Sequence, residues 1–405
     1  FGKNINMSDV IIVSEFIFKE QNSTGYYWSE IINKLAHDNF SLKVIYPADK
    51  NNSIVCEKCH AIPIKYSPFG KNSLVTRILG QVVLSIRFFS VLAKLVKKDN
   101  VVLSGTNPTL LLFILYILKK IFGFKWILLV HDVFPDNLIP AGILDSKKKI
   151  SYRILNSIYK NIYSKPDKLV VIGRDMRDIM GKKIARKDNI VLINNWADDN
   201  KFLPTKKLDF LSSKGFSFHG DSVVFQFFGN IGRLQGIDNL LQSIKLTENR
   251  NAVFLFFGGG AYLDMLTDFI GDNSNINIFY GGEVSEEDRN SCLASCDVAF
   301  VTLDSGMYGL GVPSKTYFSM CFDKPILAVM DANSEIARVV TEDKIGWYCE
   351  PKNPKELAHL IDKIAEGRWK GKIASSRKVL IQKYSQTQSL HMFSYVVRSV
   401  ISVGR

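Results

Sequence analysis

The sequence has 405 residues, 46% hydrophobic and 22% charged, which leaves room for two domain cores and excludes a disordered, collagenous or disulfide-stapled chain. Its formal charge of +13 is lopsided: residues 1–205 hold 30 Lys and Arg against 17 Asp and Glu, while residues 206–405 hold 22 of each. A basic first half points to an anionic partner such as membrane lipid or a pyrophosphate-bearing substrate. Nucleic acid is disfavoured, because no zinc-finger or ribonucleoprotein motif accompanies the basic residues.

Val10 to Ser14 reads as a buried strand, and Thr24-Gly25 opens a helix through Trp28, Ile31, Ile32 and Leu35. Leu42 to Tyr46 is a second strand. Cys56-Glu57-Lys58-Cys59-His60 has haem-attachment spacing and resembles half a zinc site. No second ligand pair follows at a suitable spacing, so it reads as reduced thiols in a loop or strand, with no metal. Without a secretory signal, a cytoplasmic chain is expected. Leu74 to Lys97 is apolar at helical spacing with basic residues between, and Pro108 starts a helix over Thr109 to Phe122. The apolar run Leu110 to Leu118 ends at Lys119-Lys120, well short of the ~20 residues of a membrane span. The two helices either lie on an anionic membrane surface or pack on a sheet with their lysines reaching water. The charge imbalance favours the surface. Further strands are Val101 to Ser104, Trp126 to Val130 (ending at His131-Asp132), Lys168 to Ile172 and Ile190 to Ile193. Asn194 to Asp198 closes the first half, and the polar stretch from Lys201 to Ser217 reads as a linker.

Alternation then resumes. Val223 to Phe228, Ala252 to Phe257, Ile276 to Tyr280, Val298 to Val301, Pro325 to Val329 and Gly346 to Cys349 read as strands. The pattern predicts an α/β chain with a doubly wound parallel sheet built twice. Glycine turns follow three of these strands, at Gly229 to Gly236, at Gly258-Gly259-Gly260 and at Gly281-Gly282, on the sheet edge where such folds bind ligands. In the first turn, Gly232 and Arg233 precede a helix bearing Ile237, Leu240, Leu241 and Ile244. That geometry aims backbone N–H groups at an anion, and the guanidinium can grip phosphate oxygens. Gly311 to Met320 supplies a second cation. Pro313 suits a first helical turn, which would leave the N–H groups of Ser314, Lys315 and Thr316 free beside the Lys315 ammonium. A diphosphate held by Arg233 and Lys315 would be stabilised as a leaving group.

These stretches resemble the retaining family 4 glycosyltransferases of the GT-B fold, especially bacterial enzymes of O-antigen, capsule and exopolysaccharide assembly. The resemblance rests on VHDVFPD (130–136), INNWADD (193–199), FGNIGRLQGIDNLL (228–241), FFGGGAYLDML (256–266), GVPSKTYFSM (311–320), KPILAV (324–329) and SEIARVVTEDKIGWYCEP (334–351). The NWAD and PSK signatures look most like N-acetylfucosamine-type transferases. It implies two Rossmann-like domains facing across a cleft: an acceptor domain (1–205), a nucleotide-sugar domain (206–387) and a last helix (388–405) crossing back. It further implies a retaining transfer from a nucleotide-diphosphate sugar, uridine-linked, to a polyprenyl-pyrophosphate-linked glycan, at the inner face of the cell membrane. No cofactor is implied beyond the donor itself. His131 would stand by the donor sugar with Asp132 beside it, and Arg233 and Lys315 would hold the diphosphate. Gly232, Gln235, Gly258, Gly259, Gly282, Glu283, Val284, Ser314 and Thr316 would line the donor site. Glu335 corresponds to a glutamate of the family's late helix, also on the donor side, while Gly25 and Asn195 face the acceptor. Two positions depart from the family pattern. Gln235 stands where a lysine is usual, and Phe318 where a glutamate usually receives the ribose hydroxyls. No DxD metal clamp and no GxSxG nucleophile motif occurs. For retaining enzymes of this type the resemblance implies a front-face mechanism, with the departing phosphate oxygen taking the acceptor proton. A sugar-nucleotide 2-epimerase of the same fold and a catalytically weak binding module remain open as alternatives.

Overall fold

The computed structural model describes residues 9–48, 56–66, 74–199 and 207–402. In the first half, strands β1 (Val10–Val13), β2 (Leu42–Ala48), β3 (Cys59–Lys65), β4 (Val101–Ser104), β5 (Lys125–Val130), β6 (Lys168–Val171) and β7 (Ile190–Leu192) form one sheet in the order β3-β2-β1-β4-β5-β6-β7. Every pairing is parallel. The crossovers are helices α1 (Ser23–His37), α2 (Leu74–Leu95), α3 (Leu111–Phe122), α4 (Ile150–Tyr163) and α5 (Arg174–Lys183). Strands such as β1 and β4 are buried at every residue, as expected where helices cover both faces of a parallel sheet. β3 takes up the second cysteine of the Cys56–Cys59 pair, and both thiols are free.

The second half opens with α6 (Lys207–Ser213) and repeats the plan with β8 (Val223–Phe228), α7 (Ile237–Leu246), β9 (Ala252–Phe257), α8 (Leu263–Asp272), β10 (Ile278–Tyr280), α9 (Glu286–Ala294), β11 (Val298–Thr302), α10 (Lys315–Cys321), β12 (Ile326–Val329), α11 (Glu335–Glu342) and β13 (Gly346–Cys349). Its order is β10-β9-β8-β11-β12-β13, again all parallel. The chain ends in α12 (Pro354–Ala365), α13 (Ser376–Lys383) and α14 (Gln386–Ser402). Two doubly wound sheets are thus present, as the strand alternation predicts. The stretch expected to be a linker is a correction: α6 lies inside it, with Phe210 and Leu211 buried and Phe210 6.1 Å from the Phe257 ring. Its polar composition hid two core anchors. Residues 201–206 of that stretch lie outside the described residues.

The last helix returns to the first sheet's lobe. Gln386 donates to Glu30 (2.7 Å) and accepts from the Tyr26 hydroxyl (3.0 Å), and Ser394 donates to Asp38. Phe393, buried, meets Trp196 edge-on at 5.9 Å. Removing that ring leaves a cavity under the indole. Phe393→Ala is expected to cost about 3–5 kcal/mol, read as a lowered midpoint in thermal unfolding. A loss below about 1 kcal/mol would show that the strap's packing contributes little.

Candidate active site

In a doubly wound sheet, the strand order reverses where the chain switches sides, and helices on either side leave a crevice beyond the strand ends. In the second sheet that point lies between β8 and β11. Phe228 and Gly229 at the end of β8, and Thr302 and Leu303 at the end of β11, line a cavity of ≈470 Å³. This is the size of a small-molecule site. Residues of both lobes form its walls.

The first-lobe wall carries His131 and Asp132, which leave the end of β5. Buried Thr106 accepts hydrogen bonds from both backbone N–H groups (3.3 Å each), fixing the turn. Burial pushes His131 down to about 4, so its imidazole is neutral at pH 7, and its buried Nε2 has no partner. Burial raises the Asp132 carboxyl, while an Asn107 amide donating at 3.4 Å pulls the other way. The lobes meet here: Val133 N–H donates to Leu310 carbonyl at 3.2 Å, and a Cβ placed on Gly311 would sit 3.8 Å from Asp132. Buried Asn195 also lines the cavity.

On the opposite wall stands Lys315, at the start of α10. Its Nζ lies 3.7 Å from the centroid of the Phe227 ring, shielded from solvent and without any hydrogen-bond acceptor among the described residues. Desolvation pushes it down to about 7. A cation over a ring gains about 0.5–2 kcal/mol. A phosphate oxygen 4 Å away would offer about 4 kcal/mol at an effective dielectric near 20. The ammonium is therefore held by the weaker of two possible partners. Ser314 and Val284 line the cavity too. Thr316 does not: its N–H donates to Pro313 carbonyl at 3.3 Å, so the expected row of free N–H groups is shorter than the sequence suggested.

The glycine turn after β8 differs from expectation in its cation. Arg233 is exposed on the short turn Arg233–Gln235 and is not among the cavity-lining residues. Asn230 and Gln235 line the cavity instead, with the Asn230 amide 3.5 Å from Gln235 Oε1, and a Cβ on Gly232 would press on both. Phe318 lines the cavity and packs on Tyr26 (5.3 Å, edge-on) and Tyr27 (6.3 Å, stacked).

Several predicted residues lie outside the lining. A Cβ on Gly25 would sit 2.1 Å from Phe18 carbonyl oxygen, so the close approach it permits is to its own loop; its neighbours Asn22, Ser23 and Thr24 reach the cavity. Gly258, at φ +117°, would put a Cβ 2.1 Å from Gly229 carbonyl oxygen, so it lets the second turn support the first. Gly259, Gly282 and Glu283 are not among the lining residues either. Glu335 is 2% exposed and committed elsewhere. It accepts hydrogen bonds from Arg174 N–H (2.6 Å), Arg174 Nε (3.0 Å) and Asn194 (3.3 Å), and its own N–H donates to Asp175 (2.9 Å). The donor-side expectation for Glu335 is thus corrected to a buried tie between the lobes. The cavity also holds Arg289, on α9, which sequence reasoning missed. It sits five residues after Val284 in an acidic, helix-like run, with only that spacing to mark it.

Comparison with known proteins follows the same outline. Residues 212–385 match the family described as glycosyl transferases group 1. The chain is 44% identical over 401 residues, 98% of its length and all of the relative, to a probable glycosyltransferase WbjE of Pseudomonas aeruginosa. Among solved structures, Anabaena HepE in complex with UDP and glucose superposes with a TM-score of 0.71 at 14% identity, covering 97% of this chain and 100% of that one. WaaG, a glycosyltransferase involved in lipopolysaccharide biosynthesis, gives 0.69 at 10% identity, covering 96% and 99%. These superpositions over nearly the whole chain agree with the GT-B fold of two parallel-sheet domains.

A depressed, unpartnered ammonium takes up a proton when an anion arrives beside it, because the anion favours the charged form. At pH 8, pyrophosphate binding is expected to draw protons, up to about one per site, measured by calorimetry in buffers of different ionisation heat. Lys315→Met should lose that uptake. Equal uptake in both proteins would contradict the assignment.

Proposed function

Because the chain belongs to the group 1 glycosyltransferases of the GT-B fold, family 4, we propose that it moves a sugar, with retention, from a uridine-diphosphate donor to a polyprenyl-pyrophosphate-linked glycan in bacterial surface-polysaccharide assembly. The observation that carries this reading is the desolvated, unpartnered Lys315 ammonium in the interlobe cavity that His131 and Asp132 also line. The diphosphate lies against Lys315 and the cavity end of the β8 turn, with the sugar toward His131. The acceptor hydroxyl attacks the anomeric carbon on the face from which the phosphate departs. The bond from that carbon to the phosphate oxygen breaks, a new glycosidic bond forms, and the departing oxygen takes the hydroxyl proton. Lys315 stabilises the charge that builds on the leaving group, so the protein supplies its cations from side chains. Neutral His131 hydrogen-bonds the sugar through its unpartnered Nε2, and Asp132 orients it from the adjacent position.

An N-acetylated or deoxy sugar is the proposed cargo, on the resemblance of the NWAD and PSK stretches. Membership in the transferases favours transfer over the epimerase alternative, which would need an acid and a base poised on the sugar ring. His131 and Asp132 are the titratable pair near it, and Glu335 is occupied by Arg174.

Delivery of a lipid-linked acceptor calls for a membrane-facing surface, and the first lobe has a candidate. Among the described residues no helix is long and apolar enough to cross a membrane. α3 buries Leu111, Leu112, Leu115 and Leu118 against the sheet yet exposes Ile117 and Ile121. α2 exposes Leu79, Ile86 and Phe89, and α4 exposes Ile150 (73%), Ile154 (57%) and Ile158. These three helices pack side by side, with Arg87, Lys94, Lys147, Lys148, Lys149 and Arg153 among them. Apolar side chains flanked by basic ones suit an anionic bilayer surface, and the exposed face of α3 is the one proposed to lie against it.

Incubation with membrane-bound acceptor and radiolabelled UDP-sugars is expected to move label into organic-extractable product. Lys315→Ala should lower that transfer by at least about 100-fold, and turnover within about threefold of wild type would refute the phosphate role. Ile154→Glu combined with Ile158→Glu should abolish co-sedimentation with vesicles containing phosphatidylglycerol, leaving UDP affinity unchanged. Retained vesicle binding would remove this face from the proposal.

A further inference from the structure

The Cys56–Cys59 pair has no part in the interlobe site, yet the fold brings its two sulfurs together. Glu57 and Lys58 form a turn ahead of β3, closed by the Cys59 N–H donating to the Cys56 carbonyl at 3.4 Å. Such a turn keeps its end Cα atoms within about 7 Å, the separation a disulfide can span. The Cys59 thiol donates to the same carbonyl at 3.2 Å and lies within hydrogen-bonding reach of the Cys56 sulfur. Both residues are half-buried, whereas Cys292, Cys296, Cys321 and Cys349 are each at most 4% exposed. A small reagent in solution therefore meets this pair and is kept from the other four.

Paired thiols suit two chemistries. Metal binding needs further ligands, and among the described residues no group of three or more His, Cys, Asp or Glu could hold a metal ion. Oxidation needs only the pair. Burial and the adjoining Cys56 sulfur push Cys59 up to about 12, so Cys59 keeps its proton and Cys56 is left as the attacking thiol.

We propose that Cys56 and Cys59 form a reversible redox site, oxidised to an intramolecular disulfide by low-molecular-weight disulfides of the glutathione class. The Cys56 thiolate attacks one sulfur of the oxidant, whose S–S bond breaks, and a mixed disulfide on Cys56 forms as the first small thiolate departs. Capping removes the charge on Cys56, which frees Cys59 to ionise and attack the Cys56 sulfur, expelling the second small thiolate. The two protons lost by the cysteines go to the two departing thiolates. The pair gives up two electrons, and the oxidant gains them. The new bond closes the turn at the entry to β3, the outermost strand of its sheet, whose pairing with β2 starts at Cys59 opposite Leu42.

Mass spectrometry of the full-length protein reads the reaction, after incubation in mixtures of reduced and oxidised glutathione and blocking of free thiols under denaturing conditions. One intramolecular disulfide per chain is expected, a loss of about two mass units, with only Cys56 and Cys59 escaping the blocking reagent. Excess reduced glutathione should restore both thiols. Cys59→Ser should stop at the mixed disulfide on Cys56, and Cys56→Ser should react at least about tenfold more slowly. Unchanged thermal midpoints confirm that both variants fold. A mixed disulfide that persists in the unaltered chain would overturn the pairing, because Cys59 would then fail to reach Cys56. Both thiols remaining free in a large excess of oxidised glutathione would overturn the site outright. One zinc ion bound per chain, and lost in both variants, would overturn it in favour of a metal site.

Discussion

An ammonium group removed from water must find a counter-charge, lose its proton or be held at a cost. Lys315 is in that position: its Nζ is shielded from solvent, has no acceptor among the described residues and rests on the Phe227 ring. The fold puts it there. α10 begins beside the reversal point of the second sheet, and the β8 turn closes over the same space, with Gly229 in reach of the lysine's end. An anion entering the cavity would relieve the desolvation, and under the donor binding proposed above a phosphate would offset the cost of keeping this group buried.

The cavity lies between the two lobes, and much of the buried polar chemistry of the chain ties one lobe to the other. Asp175 accepts from the N–H groups of Glu335 (2.9 Å) and Gly309 (3.2 Å), Glu335 accepts from Arg174 and Asn194, and Arg377 donates to Asp199 carbonyl at 2.6 Å. Each of these ties joins one lobe to the other. A single buried carboxylate that gathers donors from three directions is strongly destabilised if any partner is removed. Glu335 thus bears on the cavity through the spacing of the two lobes.

The fold was plain in the sequence because parallel strands buried on both faces are continuous apolar runs, and glycines mark where they end. Val223 to Phe228 and Ala252 to Phe257 are examples. β3 was harder to read, since an edge strand that buries only Ile64 has no such run, and α6 was masked by its polar neighbours. At the site, motif position predicted that Lys315, Ser314, Val284, His131, Asp132 and Asn195 come together, and they do. Motif position could not reveal which way a side chain turns. Arg233 and Gln235 are two residues apart on one tight turn, yet only the glutamine lines the cavity. Nor could it separate a glycine that admits a ligand from one that admits neighbouring backbone, as Gly25 and Gly258 do. Arg289 escaped because only its spacing from Val284, within an acidic helical run, marks it in the sequence.

Diffraction from crystals grown with UDP measures the central claim directly, because it locates both phosphates relative to the lysine. The expected result is a phosphate oxygen within about 3 Å of Lys315 Nζ, with the ammonium lifted from the Phe227 ring. UDP bound with its phosphates on the Arg233 surface, and Lys315 still resting on the ring, would contradict it.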